Sequence, residues 1–275
     1  MKHSIGVQIV YTRDMDLEAE IRKAMDMELE SCQLCIWDEK IYTDEYVNRV
    51  NEAVARTGFR ISSVWAGWDG PCEWNFTYGP VTIGLVPAAY RESRLRSLKK
   101  AADFALAIGV DRIVTHVGFI PEDPNHPDFM GTVGALRNLC KYLKPRNQYF
   151  LFETGQETPL ALLRTIETIG YDNLGINYDT ANLVLYGKAN SVDAVEMLGK
   201  YIMETHIKDG FYPTDTLHHG KQATVGEGQA QVEEVVKRLD TLGYTGTYTI
   251  EREISGEQQI RDILATRDLL RIWMD

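Results

Sequence analysis

Strand-like and helix-like segments alternate eight times along this chain of 275 residues. Each strand-like segment is a short apolar run, and each is followed by a longer stretch in which apolar residues recur every three or four positions. We predict strands at Ile5–Val10, Ser31–Trp37, Arg60–Trp65, Arg112–Val117, Gln148–Glu153, Leu174–Asp179, Tyr201–His206 and Thr247–Glu251. Eight strand–helix pairs in order predict a single α/β domain, a (β/α)₈ TIM barrel that spans residues 1–275.

Glycines mark the ends of several predicted helices, as is common where a left-handed residue closes a helix. The pairs are Thr57-Gly58, Ile108-Gly109, Ile169-Gly170 and Leu242-Gly243. Two connections, residues 66–86 and 208–228, are too long for tight turns, and they follow the third and seventh predicted strands. Long loops at the carboxyl ends of barrel strands are typical of lids or substrate walls.

Four polar residues close the predicted strands five to eight: Glu153, Asp179, His206 and Glu251. Each has an ordinary explanation by itself, because acidic residues at strand ends often cap a helix and a lone histidine is often part of the core. In a barrel, however, the carboxyl ends of all strands meet on one face, where active sites form. The occurrence of these residues on four successive strands therefore predicts one shared site.

Three carboxylates and one imidazole suit one divalent cation, Mn²⁺, Mg²⁺ or Co²⁺, with Zn²⁺ as a further option. Such a cation can acidify a C–H beside a sugar carbonyl and neutralise the enediolate that forms. Glu153 and Glu251 are the candidate acid/base pair. Proton exchange on opposite faces of one carbon would give an epimerase, and transfer to the next carbon an aldose–ketose isomerase. The pattern predicts an isomerase of carbohydrate metabolism that acts on a ketose or ketose phosphate.

Three sequence elements resemble those of the xylose isomerase-like barrels, a family that includes ketose 3-epimerases. Tyr178-Asp179-Thr180-Ala181-Asn182 is similar to the family's D-x-x-[HN] element, and His206-Ile207-Lys208-Asp209 is similar to its H-x-K-D element. Val225-Gly226-Glu227-Gly228 resembles the G-x-G turn of sugar-phosphate 3-epimerases. The resemblance implies that the two glutamates are acid and base, and that the metal ligands are Glu153, Asp179, His206 and Glu251. Many ketose 3-epimerases have a histidine where Asn182 stands, which leaves the sugar unidentified.

Six further residues are candidate substrate contacts: His116, Asn182, Lys208, Trp68, Gly226 and Gly228. Lys208 follows His206 by two positions, so both side chains lie on one side of an extended chain, where Lys208 could steady an enediolate or a phosphate. The glycines would let backbone N–H groups approach an anion at the start of the seventh helix. Each residue also has a structural interpretation, such as a rim histidine, a local turn, a salt bridge or loop packing.

The net charge of −11, from 29 basic and 40 acidic residues, argues against a nucleic-acid partner. It therefore disfavours the abasic-site endonucleases that share this fold and that need several histidines for their metal ions. The closer alternatives are an inosose-type keto-polyol dehydratase and a hydroxypyruvate-type isomerase, because both share the enediolate step. A non-catalytic sugar-binding protein is the remaining alternative.

No apolar stretch reaches the roughly 18–20 residues needed to cross a bilayer, and the first residues lack the apolar core of a signal peptide. We therefore expect a cytoplasmic protein with no membrane partner. Association into a homo-oligomer is compatible with such a barrel.

Overall fold

Eight parallel strands close into a barrel in which neighbours in the sequence are also neighbours in space. The computed structural model describes residues 3–274, so residues 1–2 and 275 of the predicted domain lie outside the described part. The barrel strands are β1 Ser4–Val10, β2 Ser31–Ile36, β3 Arg60–Ala66, β4 Arg112–Thr115, β5 Tyr149–Glu153, β6 Leu174–Asp179, β7 Ile202–Ile207 and β8 Thr247–Ile250. Strand β8 pairs with β1 and closes the ring. The eight predicted strands and the (β/α)₈ barrel are confirmed.

A long helix follows each barrel strand. These helices are α1 Leu17–Asp26, α2 Asp44–Thr57, α3 Ala88–Ala107, α4 Pro127–Leu143, α5 Pro159–Ile169, α6 Ser191–Leu198, α7 Val232–Thr241 and α8 Glu257–Trp273. Shorter helical segments are Glu39–Ile41, Gly79–Thr82, Lys144–Arg146, Asn182–Leu185 and Gly199–Tyr201. Gly58 ends α2 as predicted, with a φ of 68° and its N–H donating to the Val54 carbonyl. Among the described residues, no helix combines the length and the apolar character that a membrane crossing requires.

The strands divide their side chains between two environments. On β2, Cys32, Leu34 and Ile36 join the large apolar core between the barrel and its helices, whereas Gln33 and Cys35 lie on the other face. Burying one such aliphatic side chain stabilises the fold by about 1.5–3 kcal/mol. The outward face of each strand therefore supplies most of the apolar packing, and the inward face is available for polar side chains.

The two long loops meet each other beyond the carboxyl ends of the strands. The Phe76 N–H donates to the Leu217 carbonyl at 2.8 Å, and Asn75 forms an antiparallel bridge with His218. Within the second loop, Asp209–Gly210 pairs with Gln222–Ala223 as a short antiparallel ribbon. The loops 66–86 and 208–228 thus form one continuous wall on the face where the site was predicted.

Candidate metal centre and active site

The four predicted ligands converge at the carboxyl ends of strands β5 to β8. Glu153 ends β5, Asp179 ends β6, His206 is the penultimate residue of β7, and Glu251 directly follows β8. All four side chains are buried, and one potential ligand atom of each lies within 4.8 Å of the others. The structure therefore brings these residues together in a buried cluster that could hold a metal ion.

Each glutamate of the cluster has one carboxylate oxygen bound to a neutral donor and a second oxygen directed at His206. Trp65 Nε1–H donates to Glu153 Oε2, and Gln8 Nε2 donates to Glu251 Oε1 at 2.9 Å. The second oxygens, Glu153 Oε1 and Glu251 Oε2, lie 3.1 Å and 3.3 Å from His206 Nδ1. Both carboxylates therefore approach the same ring nitrogen in fixed orientations.

Asp179 uses its two carboxylate oxygens differently. Oδ1 accepts hydrogen bonds from the N–H groups of Ala181 and Asn182, both at 2.8 Å, where the short helix Asn182–Leu185 begins. Oδ2 is buried and accepts no hydrogen bond from the described residues. A buried carboxylate oxygen without a hydrogen bond is costly. Lys208 Nζ, 3.5 Å away, offsets part of this cost, and a bound cation would offset more, so this atom fits a cation ligand. The capping role and the ligand role of Asp179 are compatible.

Lys208 places a positive charge among the carboxylates. Its Nζ lies 2.9 Å from Glu251 Oε2, 3.5 Å from Asp179 Oδ2 and 2.8 Å from Glu253 Oε2. Burial lowers the pKa of Lys208, but these carboxylates outweigh burial and hold the pKa well above its ordinary value. Lys208 therefore contacts the cluster itself. Its nearest ion-pair partners are Glu251 and Glu253 rather than the neighbouring Asp209.

Burial and neighbouring charges give the cluster groups different pKa values. Burial raises the pKa of Glu251, but Lys208 and His206 outweigh it and lower the pKa well below its usual range. For Asp179, burial raises the pKa to about 8, and repulsion from Glu251 and Glu153 contributes to the rise. Burial lowers the pKa of His206, but the same two glutamates outweigh it and hold the pKa well above the usual value. The cluster is therefore a site at which additional positive charge is favoured.

His116 and Asn182, predicted as substrate contacts, both lie against Glu153. His116 Nε2 is 3.4 Å from Glu153 Oε1, and Asn182 Nδ2 lies 3.4 Å from the same oxygen. The His116 ring packs edge-on against Trp65 and Trp74, and burial lowers its pKa. The structure thus places both residues at the cluster, and their contact with a substrate stays a prediction.

Gly226 and Gly228 lie beside an anion, but that anion belongs to the chain itself. Both N–H groups donate to Asp209 Oδ2, each at 3.0 Å, and neither glycine is among the described residues that line the cavity. Helix α7 begins only at Val232, later than the predicted start at these glycines. The backbone donors that were predicted to hold a substrate anion are therefore already occupied.

Trp68, the predicted aromatic substrate contact, lies behind the wall of the cavity. Its ring packs against Trp37, Trp65 and Trp74 at centroid distances of 5.5, 6.2 and 6.4 Å. Those three tryptophans line the cavity, whereas Trp68 does not. The packing interpretation therefore describes Trp68, and its three neighbours provide the aromatic surface of the cavity.

A cavity of about 1210 Å³ opens at the cluster. Its polar lining includes Glu153, Glu251, Lys208, His116 and Asn182. The lining also includes the rings of Trp37, Trp65, Trp74, Tyr186 and His219. A concave site that combines a few polar groups with aromatic rings is typical of sites for small organic ligands.

Three residues that hydrogen-bond to the candidate ligands were not singled out from the sequence: Gln8, Gln33 and Trp65. Gln8 and Trp65 hold the two glutamates, and Gln33 Oε1 lies 2.7 Å from His206 Nε2. A signal did exist, because Gln8 and Gln33 are polar residues inside otherwise apolar predicted strands. A polar side chain within an apolar strand indicates a position that faces the polar interior of the barrel mouth.

The fold and this cluster define a (β/α)₈ barrel protein with a candidate metal centre where its active site should lie. The family described as xylose isomerase-like TIM barrel matches residues 21–272. The chain therefore belongs to that family, which confirms the resemblance of its sequence elements.

Several solved structures are similar to this chain along almost its whole length. A xylose isomerase domain protein from Planctomyces limnophilus has 29% identity and a TM-score of 0.90, over 98% of this chain and 97% of that one. A D-tagatose 3-epimerase-like protein has 18% identity and a TM-score of 0.75, over 98% and 97%. A xylose isomerase-like TIM barrel protein from Mycobacterium smegmatis, in complex with magnesium, has 16% identity and a TM-score of 0.72, over 98% and 96%.

Proposed function

We propose that this chain is a divalent-cation-dependent isomerase that epimerises or isomerises a ketose through an enediolate. The observation that carries the proposal is the pair of buried glutamates, Glu153 and Glu251, whose second oxygens both approach His206 Nδ1. Epimerisation requires two groups that can accept and return a proton at one carbon. The xylose isomerase-like family and the epimerase-like protein among the similar structures support this class of chemistry.

The proposed cation is Mn²⁺, Mg²⁺ or Co²⁺, held by Glu153, Asp179, His206 and Glu251. Three carboxylates and one imidazole suit a hard or borderline cation, and the buried Asp179 Oδ2 has no hydrogen-bond donor among the described residues. When bound, such a cation would polarise a carbonyl and stabilise developing negative charge. The magnesium in the Mycobacterium smegmatis structure supports a cation of this type.

Glu153 and Glu251 are proposed to move the proton. Burial raises the pKa of Glu251, but the charge of Lys208 outweighs it and keeps this carboxylate ionised. Burial likewise raises the pKa of Glu153, and the neighbouring imidazoles outweigh it and lower the pKa. Because Trp65 and Gln8 each bind one carboxylate oxygen, both bases are held in one orientation, which favours proton transfer. Either glutamate can therefore begin the reaction as the base. Epimerisation also requires the other glutamate to carry a proton, taken up from solvent, which it delivers to the opposite face of the same carbon.

An unphosphorylated ketose fits the charge of the cavity better than a ketose phosphate does. Within the described residues, the Lys and Arg side chains that line the cavity are already paired: Lys23 with Glu20 at 2.7 Å, Lys208 with Glu251 at 2.9 Å and Arg252 with Asp262 at 2.7 Å. A phosphate would therefore have to displace a carboxylate. Sugar hydroxyls, by contrast, can bond to neutral amide and imidazole groups.

Two of the alternative functions would use the same residues as the proposed isomerase, and the geometry of the site argues against a third. A keto-polyol dehydratase and a hydroxypyruvate-type isomerase begin with the same proton transfer, so the two glutamates would serve them equally well. An abasic-site endonuclease would need more imidazoles, and of the histidines that the structure describes only His116 and His206 lie at the cluster. Its other requirement, attraction to phosphate, is opposed by the net charge of −11.

Solvent exchange tests the reaction. The protein, loaded with Mn²⁺ or Mg²⁺, is incubated in D₂O with a panel of ketoses and their phosphates, and the products are followed by NMR and mass spectrometry. We expect deuterium uptake at one carbon of an unphosphorylated ketose, which chelation of the metal abolishes and its return restores. Loss of water from the sugar would identify a dehydratase instead. Metal binding without exchange in any sugar would identify a binding protein and contradict the proposal.

Two substitutions test the acid/base assignment. Glu153→Gln and Glu251→Gln should each lower turnover by at least about a hundredfold, because each removes one proton-transfer group and keeps the side-chain shape. The matched control is Glu257→Gln, an exposed glutamate of α8 that pairs with Arg261 at 3.3 Å. Thermal melting shows whether each variant is folded. Turnover of either folded cluster variant near that of the control would remove the assignment.

A further inference from the structure

Gln33 contacts His206 on the side away from the carboxylates. It lies inside β2 and is fully buried, with its Oε1 2.7 Å from His206 Nε2. His206 Nδ1 instead faces Glu153 Oε1 at 3.1 Å and Glu251 Oε2 at 3.3 Å. One ring nitrogen of His206 therefore faces an amide oxygen, and the other faces the cluster.

The carboxamide of Gln33 is oriented by two acceptors on other strands. Its Nε2 donates to Ser63 Oγ at 2.9 Å and to Asn177 Oδ1 at 3.2 Å. Ser63 is the direct ladder partner of Gln33 on β3, and Asn177 lies on β6. The β2–β3 pairing shifts register between Cys32 and Gln33, and the β6–β7 pairing shifts register between Ile176 and Asn177. With both amide hydrogens donated, the oxygen of Gln33 is the atom that faces His206.

This orientation selects the tautomer that His206 adopts when it is neutral and binds a cation. A neutral imidazole carries one hydrogen and offers its other nitrogen as a ligand. A hydrogen on Nε2 donates to Gln33 Oε1 and leaves the Nδ1 lone pair directed at the carboxylates. The other tautomer would set the Nε2 lone pair against the Gln33 oxygen and place a hydrogen where a cation would bind. The contact therefore favours the tautomer that a metal ligand needs.

We propose that Gln33 is a positioning residue that fixes His206 as an Nδ1 ligand of the cation. Ser63 and Asn177 orient Gln33, and Gln33 orients the ring. The inference rests on the metal site of the proposed function, but it does not depend on the sugar chemistry. Removing such a partner of a metal-binding histidine typically weakens metal affinity by about 10- to 100-fold.

The test compares the Mn²⁺ affinity of wild-type protein, Gln33→Met and Gln148→Met by isothermal titration calorimetry. Methionine keeps the length of glutamine but is only a weak hydrogen-bond acceptor. Gln148 is the matched control, because it is also fully buried and donates to the Ala102 carbonyl at 2.8 Å, just before β5 and therefore at the opposite end of the barrel. Both substitutions should lower the melting temperature of the metal-free protein. Only Gln33→Met should weaken Mn²⁺ binding, by about 10- to 100-fold. Equal Mn²⁺ affinities of folded Gln33→Met and Gln148→Met would overturn the proposal.

A spectroscopic measurement on the unaltered chain tests the predicted ligand atom of His206 even if Gln33→Met does not fold. In Zn²⁺-loaded protein with ¹⁵N-labelled histidine rings, NMR should show His206 with its hydrogen on Nε2 and its metal on Nδ1. A hydrogen on Nδ1 would overturn the proposal. A wild-type protein that binds no divalent cation would overturn both this proposal and the proposed function. Cation binding with this tautomer but without sugar exchange would overturn the proposed reaction alone.

Discussion

Asp209 is the second residue of the loop 208–228, which follows β7. Its carboxylate accepts four hydrogen bonds from backbone N–H groups. Its Oδ1 accepts from the N–H groups of Gly210 at 2.8 Å and Ala230 at 3.0 Å, and its Oδ2 accepts from Gly226 and Gly228, both at 3.0 Å. The carboxylate is buried. A Cβ on Gly228 would collide with this carboxylate, so the loop closes around Asp209 only with glycine there. We predict that Asp209 stabilises this loop.

The perturbation is Asp209→Asn, which keeps the shape of the side chain. One carboxylate oxygen becomes an NH₂ group, which cannot accept from the two N–H groups that face it. Two hydrogen bonds to a charged group are then lost, each worth about 1.5–3 kcal/mol. The gross loss is therefore about 3–6 kcal/mol. The loop can open locally, so that water hydrogen-bonds to the freed N–H groups and recovers part of this loss. We therefore expect the free energy of local opening to fall by about 3 kcal/mol.

Hydrogen–deuterium exchange measures this loss directly. A fall of about 3 kcal/mol corresponds to roughly hundredfold faster exchange for the amides of Gly226, Gly228 and Ala230. The matched control is Asp215→Asn in the same loop, since Asp215 also accepts from two backbone N–H groups, those of Leu217 and His218, but is exposed to water.

The outcome for the rest of the chain is part of the same prediction. Amides of helix α1 should exchange at the wild-type rate in Asp209→Asn, because Asp209 holds only the loop. Unchanged exchange at Gly226 and Gly228 would refute the reasoning. So would equally fast exchange over the whole chain, since that would show a global role for Asp209.

Two further predictions concern buried ionisable side chains outside the cluster. Arg112→Met removes the 2.6 Å partner of the fully buried Glu204 and should cost about 3–5 kcal/mol in urea denaturation; a loss under about 1 kcal/mol would contradict this. Burial raises the pKa of Glu157 to about 8, so the folded state binds this proton more tightly than the unfolded state, and stability falls as the pH rises from about 4.5 to about 8. Glu157→Gln should therefore be as stable as wild type near pH 4 and more stable at pH 8, by up to about 4 kcal/mol; a pH-independent difference would count against it.

Local patterns were sufficient to predict the strands, because each is a short apolar run; β2 and β6, for example, are buried along their whole length. The bounds of β6, Leu174–Asp179, are those predicted. Strand β4 is shorter than predicted and ends at Thr115. The cause is a contact from another part of the chain, since the Val117 carbonyl accepts from the N–H groups of Leu85 and Val86 in the loop 66–86. No local pattern around Val117 reveals such a partner.

The supports of the cluster were harder to predict than the cluster itself. The four candidate ligands could be found because each lies at the end of its own strand, and a barrel brings strand ends together. Gln8 and Glu251, by contrast, are 243 positions apart, and Gln33 and His206 are 173 apart. Their contacts depend on the register in which the barrel closes, which the pattern of a single strand does not specify.

The glycine turn shows a different limit of sequence interpretation. The G-x-G element correctly indicated that backbone N–H groups gather around an anion. It did not indicate which anion, because an internal aspartate and a bound phosphate require the same backbone geometry. Asp209, the final residue of the H-x-K-D element, supplies the anion in this chain.

Charge balance connects the H-x-K-D element to the proposed cation. Glu153, Asp179 and Glu251 carry three negative charges when ionised, and Lys208 supplies one positive charge beside two of them. Glu253, the third partner of Lys208, is 60% exposed, so water screens its charge and it is left out of this balance. With His206 neutral, as a ligand must be, two negative charges remain in a buried site, which is costly. The pKa of Asp179, raised to about 8 by burial and then by the neighbouring glutamates, expresses this excess. One divalent cation would neutralise it, whereas a monovalent ion would leave one negative charge and a trivalent ion one positive charge. The composition of the cluster therefore favours a divalent ion.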